Sequence, residues 1–124
     1  MDKVKREWWE VVVMISVGLI VAALVLSSVY FERQMVKQRT MFYQLVILRN
    51  AVNLYKSVNR HNPPGLKELV EGYYQFEGEK VTRRYVENAS IDESGQVVDP
   101  FGGAYKYNPV TGWIMSSTSG FEFW

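Results

Sequence analysis

The sequence predicts an α+β fold in which a long N-terminal helix packs on a small antiparallel β-sheet formed by the C-terminal end of the chain. Three observations support this class. No proline occurs before Pro63 and no glycine lies between Gly18 and Gly65, so neither helix-breaking residue type interrupts the interval 19–62. Apolar residues recur within it at helical spacing. Beyond residue 98, short aromatic and β-branched runs alternate with turn residues, which is typical of a β-hairpin.

The helix is predicted to run from about Trp8 to about Val58, and its first half is predicted to span a membrane. Residues 11–31 contain no charged side chain, and a helix of this length measures about 30 Å, the thickness of the hydrocarbon core of a bilayer. Aromatic residues stand at both ends, as they do at membrane interfaces. A cleaved signal peptide is the competing interpretation, but its apolar core is usually shorter, about 7–15 residues, and the cleavage site would be poor here. We therefore predict a retained anchor.

The second half of the helix, residues 32–58, is predicted to be amphipathic. Its apolar stripe runs through Leu45, Leu48, Val52 and Tyr55, at spacings that place these side chains on one face. The opposite, solvent-facing side is predicted to carry Gln38, Arg39, Gln44, Arg49, Asn53 and Lys56. The helix should end within residues 59–64, because asparagine tolerates a left-handed conformation and the two prolines cannot continue a helix.

Residues 59–98 are predicted to be rich in turns and to contain one short helix, at residues 65–71, which Gly72 ends. The side chains that this helix turns inward are predicted to be Leu66, Leu69 and Val70. Two further stretches have the composition of turns and one is strand-like, namely residues 76–79, 92–95 and 81–86.

Residues 99–124 are predicted to form the sheet. Residues 104–107 and 113–116 are strand-like by residue type, and residues 108–112 join them as a turn in which a proline fixes φ and Gly112 supplies a positive φ. An isolated hairpin is marginally stable in water, so we expect it to cover the apolar stripe of the long helix.

Composition restricts the classes of function. The net charge is +1, there is no cysteine and His61 is the single histidine, so we expect no nucleic-acid partner, no disulfide and no thiolate or histidine metal cluster. The run at residues 116–118 has hydroxyls without a nearby base, and the acids Glu77 and Glu79 are typical of a solvated turn. Gly102-Gly103 lacks the strand-to-helix context of a phosphate loop. We therefore expect no catalytic residue, no cofactor and no small-molecule substrate.

Three segments together resemble a known family. Glu10 precedes the apolar run as a single acidic residue, and residues 53–70 combine a helix exit with a proline-led turn. Residues 99–107 read Asp-Pro-Phe-Gly-Gly-Ala-Tyr-Lys-Tyr, which is similar to an Asp-Pro-Trp-Gly-x-x-Tyr-x-Tyr segment of the type IV pilin-like proteins. The chain most closely resembles the pseudopilins of type II secretion systems, and the third segment is the most specific of the three.

The resemblance implies a pilin-like fold and a role for Glu10 in subunit assembly. In the family, the acidic residue is thought to engage the N-terminus of a neighbouring subunit and to set axial register. A charge at the centre of a membrane helix costs about 2.5–3.5 kcal/mol, which a cation from a partner would offset. The alternative is that Glu10 lies at the membrane interface beside Trp8 and Trp9, or near the helix N-terminus, where negative charge is favourable.

The chain departs from the family pattern at the prepilin peptidase site. Lys5 and Arg6 stand where family precursors have a glycine and a methylated aromatic residue, so we predict that the peptidase does not cut. The family's helix proline falls on Ser27, which favours an uninterrupted helix. Calcium-binding pseudopilins have acidic residues in the C-terminal loop, whereas residues 112–120 contain none, so no metal site is expected.

Two functions are compatible with these features. One is a structural subunit of a type II secretion pseudopilus or a type IV pilus-like assembly, whose partners are the membrane and other pilin-like subunits or secretion and pilus assembly proteins. The alternative is an uncleaved pilin-fold interaction protein that binds assembly components in the membrane without entering a filament.

For either function we expect a short cytoplasmic tail (residues 1–10), a single span in the bacterial inner membrane and a periplasmic domain (residues 32–124). Basic residues flank the span on both sides, so this orientation follows from the resemblance and not from the charge count. For the cations that follow the span, a solvated helix face is favoured over contact with anionic headgroups. These cations are Arg33, Lys37 and Arg39.

Overall fold

Helix α1 (Asp2–Asn59) contains nearly half of the chain. The structure, a computed structural model, describes residues 2–124, with side chains from Glu7 onward. The predicted uninterrupted helix is confirmed and begins earlier than Trp8. The chain divides into two compact units after Val36, and the second unit is Lys37–Trp124.

Helix α1 ends where the sequence predicts, but the residue in the left-handed conformation is not an asparagine. The left-handed residue is Arg60, with φ of 67°, and its N–H donates to the carbonyl oxygen of Lys56 at 2.9 Å. The expected asparagine has another role, because the Asn59 side-chain amide donates to the carbonyl oxygen of Tyr55 and to the hydroxyl of Tyr85.

The predicted short helix is present as α2 (Leu66–Glu71), with Leu66 and Leu69 buried and Val70 half-buried. Gly72 ends it by donating its N–H to the carbonyl oxygen of Glu68 at 2.8 Å. A Cβ at Gly72 would lie 2.2 Å from that same oxygen, so this helix end has room only for glycine.

The predicted antiparallel sheet at the C-terminal end is present, but it is not the only one, because the described residues contain six short strands in three two-stranded antiparallel sheets. Their pairs are β1 (Tyr73–Tyr74) with β2 (Arg83–Arg84), β3 (Ser90–Ile91) with β4 (Val97–Val98), and β5 (Lys106–Asn108) with β6 (Trp113–Met115). Only the last pair lies within residues 99–124. The other two pairs lie in the stretch that the sequence predicts to be mostly turns. Of the strand-like residues 81–86, only the two residues of β2 form a strand.

Helix α1 and the short elements share one apolar core in the second unit. The stripe of α1 is buried as predicted at Leu45, Leu48 and Val52. Tyr55, at the end of the stripe, is partly buried and packs against the core. From the other elements the core receives Leu66, Leu69, Val86, Val97, Tyr105 and Ile114. The β5–β6 hairpin therefore covers the helix, as expected for a hairpin that cannot stand alone.

Two polar residues of α1 do not lie on the solvent-facing side to which the sequence pattern assigned them. Gln44 and Arg49 are both half-buried. Gln44 is four residues before Leu48 and seven before Ala51, so it shares their helix face. Arg49 lies at the edge of that face, and its guanidinium Nη2 donates to the backbone oxygen of Ile114 at 3.1 Å.

Candidate functional site

The first unit exposes apolar side chains along α1. The most apolar 18-residue window of this helix has a mean hydropathy of 2.7, and none of it is buried. A core helix of a soluble protein would be mostly buried. By length and composition, α1 is long and apolar enough to cross a membrane.

Hydroxyl groups within the apolar stretch are bonded inside the helix. Ser16 Oγ donates to the carbonyl oxygen of Val12, and Ser27 Oγ to that of Ala23, each at 2.8 Å. These bonds lower the cost of placing a hydroxyl in an apolar medium. At the end of the stretch, the Tyr30 hydroxyl accepts from Gln34 Nε2 at 3.3 Å, where an interfacial residue would meet polar surroundings.

Glu10, the predicted assembly residue, is exposed at the start of this apolar surface. Trp8 and Trp9 precede it and are exposed as well. By helical spacing, Val13 and Met14 lie on the same face one turn further along. The structure thus places a carboxylate beside apolar side chains. The basic residues proposed as partners or as a lost cleavage site, Lys3, Lys5 and Arg6, lie outside the described side chains.

The second feature is a buried carboxylate at the end of β4. Asp99 is 4% exposed. Its Oδ1 accepts from the N–H groups of Phe101 and Gly103, at 2.8 and 2.9 Å. Its Oδ2 accepts from Ser116 Oγ at 3.0 Å and from Thr118 Oγ1 at 2.5 Å. We call Asp99, Ser116 and Thr118 the Asp99 cluster. Because both carboxylate oxygens accept hydrogen bonds, the cluster holds the C-terminal segment against the turn at Asp99, and its role is structural.

The structure explains why two glycines follow Asp99 in this segment. Gly102 adopts a φ of 87°, a conformation that favours glycine. A Cβ at Gly103 would lie 2.5 Å from Thr118 Oγ1 and 3.1 Å from Asp99 Oδ2. Any larger residue at Gly103 would therefore push the Asp99 cluster apart.

The two tyrosines that follow tie this segment to the helix and to the proline turn. The Tyr105 hydroxyl donates to Gln44 Oε1 at 2.8 Å, and the Tyr107 hydroxyl donates to the carbonyl oxygen of Pro63 at 2.7 Å. Burial, and secondarily the negative charge of Asp99, raises the pKa of Tyr105. Burial also raises the pKa of Tyr107. Both hydroxyls therefore remain protonated donors at neutral pH.

Among the described residues, the remaining side chains that could serve in catalysis or metal binding do not lie together. His61 is exposed in the turn after α1, with Nδ1 2.9 Å from the Asn62 carbonyl oxygen. Ser116 is committed to Asp99 and also accepts the N–H of Thr118 at 3.0 Å. Glu79 pairs with Arg83 at 3.3 Å. Among the residues that the structure describes, no group of three or more histidines and carboxylates is placed to hold a metal ion.

Arg49 is an organising residue that the sequence pattern missed. Its Nη2 donates to the backbone oxygens of Ile114 and Trp124, at 3.1 and 2.6 Å, and its guanidinium carbon lies 4.9 Å from the centroid of the Trp113 ring. The available signal was its place directly after Leu48, at the edge of the apolar stripe.

Comparisons with known proteins place no further constraint on this site. The chain matches no protein-family model, no curated protein and no solved structure.

Proposed function

We propose that this chain is a membrane-anchored, pilin-like structural subunit of a type II secretion pseudopilus or a type IV pilus-like assembly. The observation that carries the proposal is that one helix, α1, has an exposed apolar stretch followed by a stripe buried against a small α+β unit. These two parts require different surroundings. The apolar stretch requires lipid or other apolar helices, whereas the second unit has a core of its own.

The resemblance to the pilin-like family supports the same conclusion. Its most specific segment, residues 99–107, carries the Asp99 turn and the two tyrosines that bond to Gln44 and Pro63. Those residues hold the C-terminal segment over α1. A segment that performs this task is suited to a subunit whose domain must stay folded during assembly.

In the proposed assembly, Glu10 sets the register between neighbouring helices. When apolar helices pack together, water is scarce, and a carboxylate needs a cationic partner or must be neutralised. Lys3, Lys5 or Arg6 of an adjacent subunit, or a partner's N-terminal amine, would supply that charge. The role is structural and involves no catalysis. The location that we propose is the bacterial inner membrane, with the second unit in the periplasm.

The second candidate function is an uncleaved interaction protein that binds assembly components in the membrane without joining a filament. Lys5 and Arg6, at the position of the family's cleavage site, favour it. In that case Glu10 lies among headgroups and has no register to set.

Substitution of Glu10 separates the two functions. In a filament subunit, Glu10→Ala and Glu10→Gln should each reduce cross-linking between membrane helices, roughly tenfold for a lost interaction of about 1.4 kcal/mol. Membrane insertion should be unchanged. The measurement is cysteine cross-linking in membranes, scored against total inserted protein, with Glu7→Gln as the matched control one helical turn away. Wild-type cross-linking by both Glu10 variants would favour the interaction protein.

The mass of the mature N-terminus supplies an independent measurement. We expect intact-mass analysis to show that the chain is not cut between Lys5 and Arg6, because the residue directly before Arg6 is a lysine and not a glycine. A product that begins at Arg6 with a methylated amine would contradict this expectation and favour incorporation into a filament.

A further inference from the structure

A groove of about 470 Å³ lies along one edge of strand β5, within the second unit. Residues 64–67, 95–97 and 104–107 form its walls, so it lies between the start of α2, the beginning of β4 and β5. Its volume is within the range of about 300–1,000 Å³ that is usual for ligand sites. We call it the β5 groove.

Strand β5 directs backbone hydrogen-bonding groups into this groove. The Tyr105 N–H donates to the carbonyl oxygen of Val97 at 3.0 Å, so it points away from β6. Backbone groups of residues two apart point to the same side of a strand. The N–H and carbonyl oxygen of Tyr107 therefore also point away from β6. Ile114, which lies opposite Tyr107 in β6, has its carbonyl oxygen bonded to Arg49 of α1, as expected for a pair that exchanges no backbone bonds.

Strand β4 does not extend far enough to cover these groups. It meets the segment before β5 at a bridge between Val98 and Ala104. The chain enters β4 from a turn, which is closed by a bond from the Asp92 N–H to the carbonyl oxygen of Gln96 at 2.9 Å. Among the described residues, no backbone bond from outside the β5–β6 pair reaches Tyr107. A strand edge with an open N–H and carbonyl group is a template for an added strand.

The charged side chains that line the β5 groove are basic. They are Lys67 and Lys106, and the lining contains no carboxylate. Two carboxylates of α2 adjoin the groove, those of Glu68 and Glu71. Glu71 Oε1 lies 3.9 Å from Lys67 Nζ, and both side chains are more than half exposed, so the attraction between them is weak. Within the described part of the chain, the Lys106 ammonium has no such partner, and its charge is open to a ligand.

Lys106 also selects the kind of strand that this edge accepts. Its side chain is exposed and shares the outer face of the hairpin with Met115, its cross-strand partner, so it would face a side chain of an added strand. Pairing of the β5 edges of two copies would bring two lysines to the same face, where like charges repel. A carboxylate at that place would be attracted. The β5 groove therefore favours an acidic strand over a second β5.

We propose that the β5 groove binds an extended acidic segment of a partner protein, which adds to β5 as a further strand. The segment would exchange hydrogen bonds with the N–H and carbonyl oxygen of Tyr107 and place a carboxylate beside Lys106. The inference does not rest on the proposed function or on the membrane anchor, because the groove lies wholly within the second unit. It gives the domain a docking surface for a protein partner.

Amide hydrogen exchange of the full chain in neutral detergent micelles tests the backbone contact. The probe is the acetylated and amidated peptide Thr-Val-Glu-Val-Thr. A control peptide carries N-methyl groups on both valines, so it keeps the charge but cannot donate to the strand edge. We expect the Tyr107 amide hydrogen to exchange freely in the chain alone. The probe should slow its exchange roughly tenfold at about 90% occupancy, because exchange then proceeds only from unoccupied chains.

Three outcomes of this measurement would contradict the added strand. The first is an unchanged exchange rate of the Tyr107 amide at millimolar concentrations of the probe. The second is equal protection by the N-methylated peptide. The third is protection in the chain alone that increases with protein concentration, which would indicate contact between copies instead.

Replacing Lys106 tests the preference for an acidic segment. Lys106→Gln should weaken binding of the probe about two- to fivefold, the range expected for an exposed ion pair. Binding of the peptide Thr-Val-Gln-Val-Thr should be unchanged. Lys56→Gln, at an exposed lysine in the last turn of α1, is the matched control. Equal effects of the two substitutions, or equal affinities of the glutamate and glutamine peptides for the unaltered chain, would overturn the preference.

Discussion

Asp99 is a buried carboxylate that accepts four hydrogen bonds. Two come from backbone N–H groups in its own turn, and two come from the hydroxyls of Ser116 and Thr118, which lie 17 and 19 residues further along the chain. Burying a carboxylate is costly unless it is bonded, and hydrogen bonds to a charged acceptor are about twice as strong as neutral ones. The position of Asp99 therefore depends on the hydroxyls as much as on its own turn.

Asp99→Ala should lower the free energy of unfolding by about 3 kcal/mol or more, because it removes a buried network and leaves the Ser116 hydroxyl without its acceptor. Asp92→Ala is the control. The Asp92 carboxylate also accepts bonds from nearby residues, Ser94 and Gln96, but at an exposed site. We expect it to cost less than about 1 kcal/mol. Urea denaturation of the full chain in detergent measures both, and equal losses would contradict the assigned role of Asp99.

The two halves of the Asp99 cluster were visible in the sequence, but not their contact. Residues 99–107 carry the family resemblance, whereas residues 116–118 show in the sequence only hydroxyls without a nearby base. The observed register pairs Lys106 with Met115. Continued outward, that register places Gly103 opposite Thr118, where the close approach is found. The contact could therefore have been predicted only after the hairpin register was known, since a shift of one residue would separate the two groups.

At the level of elements, the second half of α1 and the β5–β6 hairpin depend on each other. Leu48 is 2% exposed within their shared core, whereas Ile47, its neighbour in the sequence, is half exposed on another side of the helix. This contrast provides a matched pair of substitutions on one element.

Leu48→Ala should lower the free energy of unfolding by about 2–5 kcal/mol, the range found when a buried leucine is truncated. Ile47→Ala should change it by less than about 0.5 kcal/mol, as surface substitutions usually do. Both are measured by chemical denaturation of residues 33–124, with the full chain in detergent as a check. A cost for Leu48→Ala no greater than that for Ile47→Ala would place the hairpin elsewhere.

The elements that the sequence predicted well are those with local signals. The end of α1 follows from Pro63 and Pro64, and the hairpin turn follows from Gly112, whose φ of 75° has the predicted sign. The β1–β2 and β3–β4 pairs were missed because strands of two residues are too short to show alternation. The sequence predicts their turns, at residues 76–79 and 92–95, and Gly78 and Gly95 have positive φ there. A turn signal does not show, however, which of the flanking residues pair.

At the scale of the whole molecule, the chain combines an apolar stretch that has no core of its own with a domain that does. Hydropathy predicts an apolar stretch up to Phe31 followed by a domain, and the structure divides into its two compact units after Val36. Hydropathy does not predict which side of the membrane the domain occupies, because basic residues flank the stretch on both sides.

The proposed topology predicts that protease added to spheroplasts digests the second unit, Lys37–Trp124, and leaves a membrane-protected fragment that contains the apolar stretch. The measurement is immunoblotting with a tag placed after Trp124, and a cytoplasmic protein in the same sample controls for lysis. Survival of the tag in unlysed spheroplasts, together with its loss after detergent is added, would place the domain in the cytoplasm and contradict the proposal.

The long sequence separation between α1 and its covering hairpin also determines when the domain can fold. Gln44 bonds to Tyr105 across 61 residues, and Arg49 bonds to Ile114 across 65. During synthesis at about 5–20 residues per second, Ile114 appears roughly 3–12 s after Val52. Throughout that interval the apolar stripe from Met41 to Val52 is already made and still uncovered. The nascent chain therefore offers two apolar surfaces in succession, and the second must be kept from aggregating until its partner arrives.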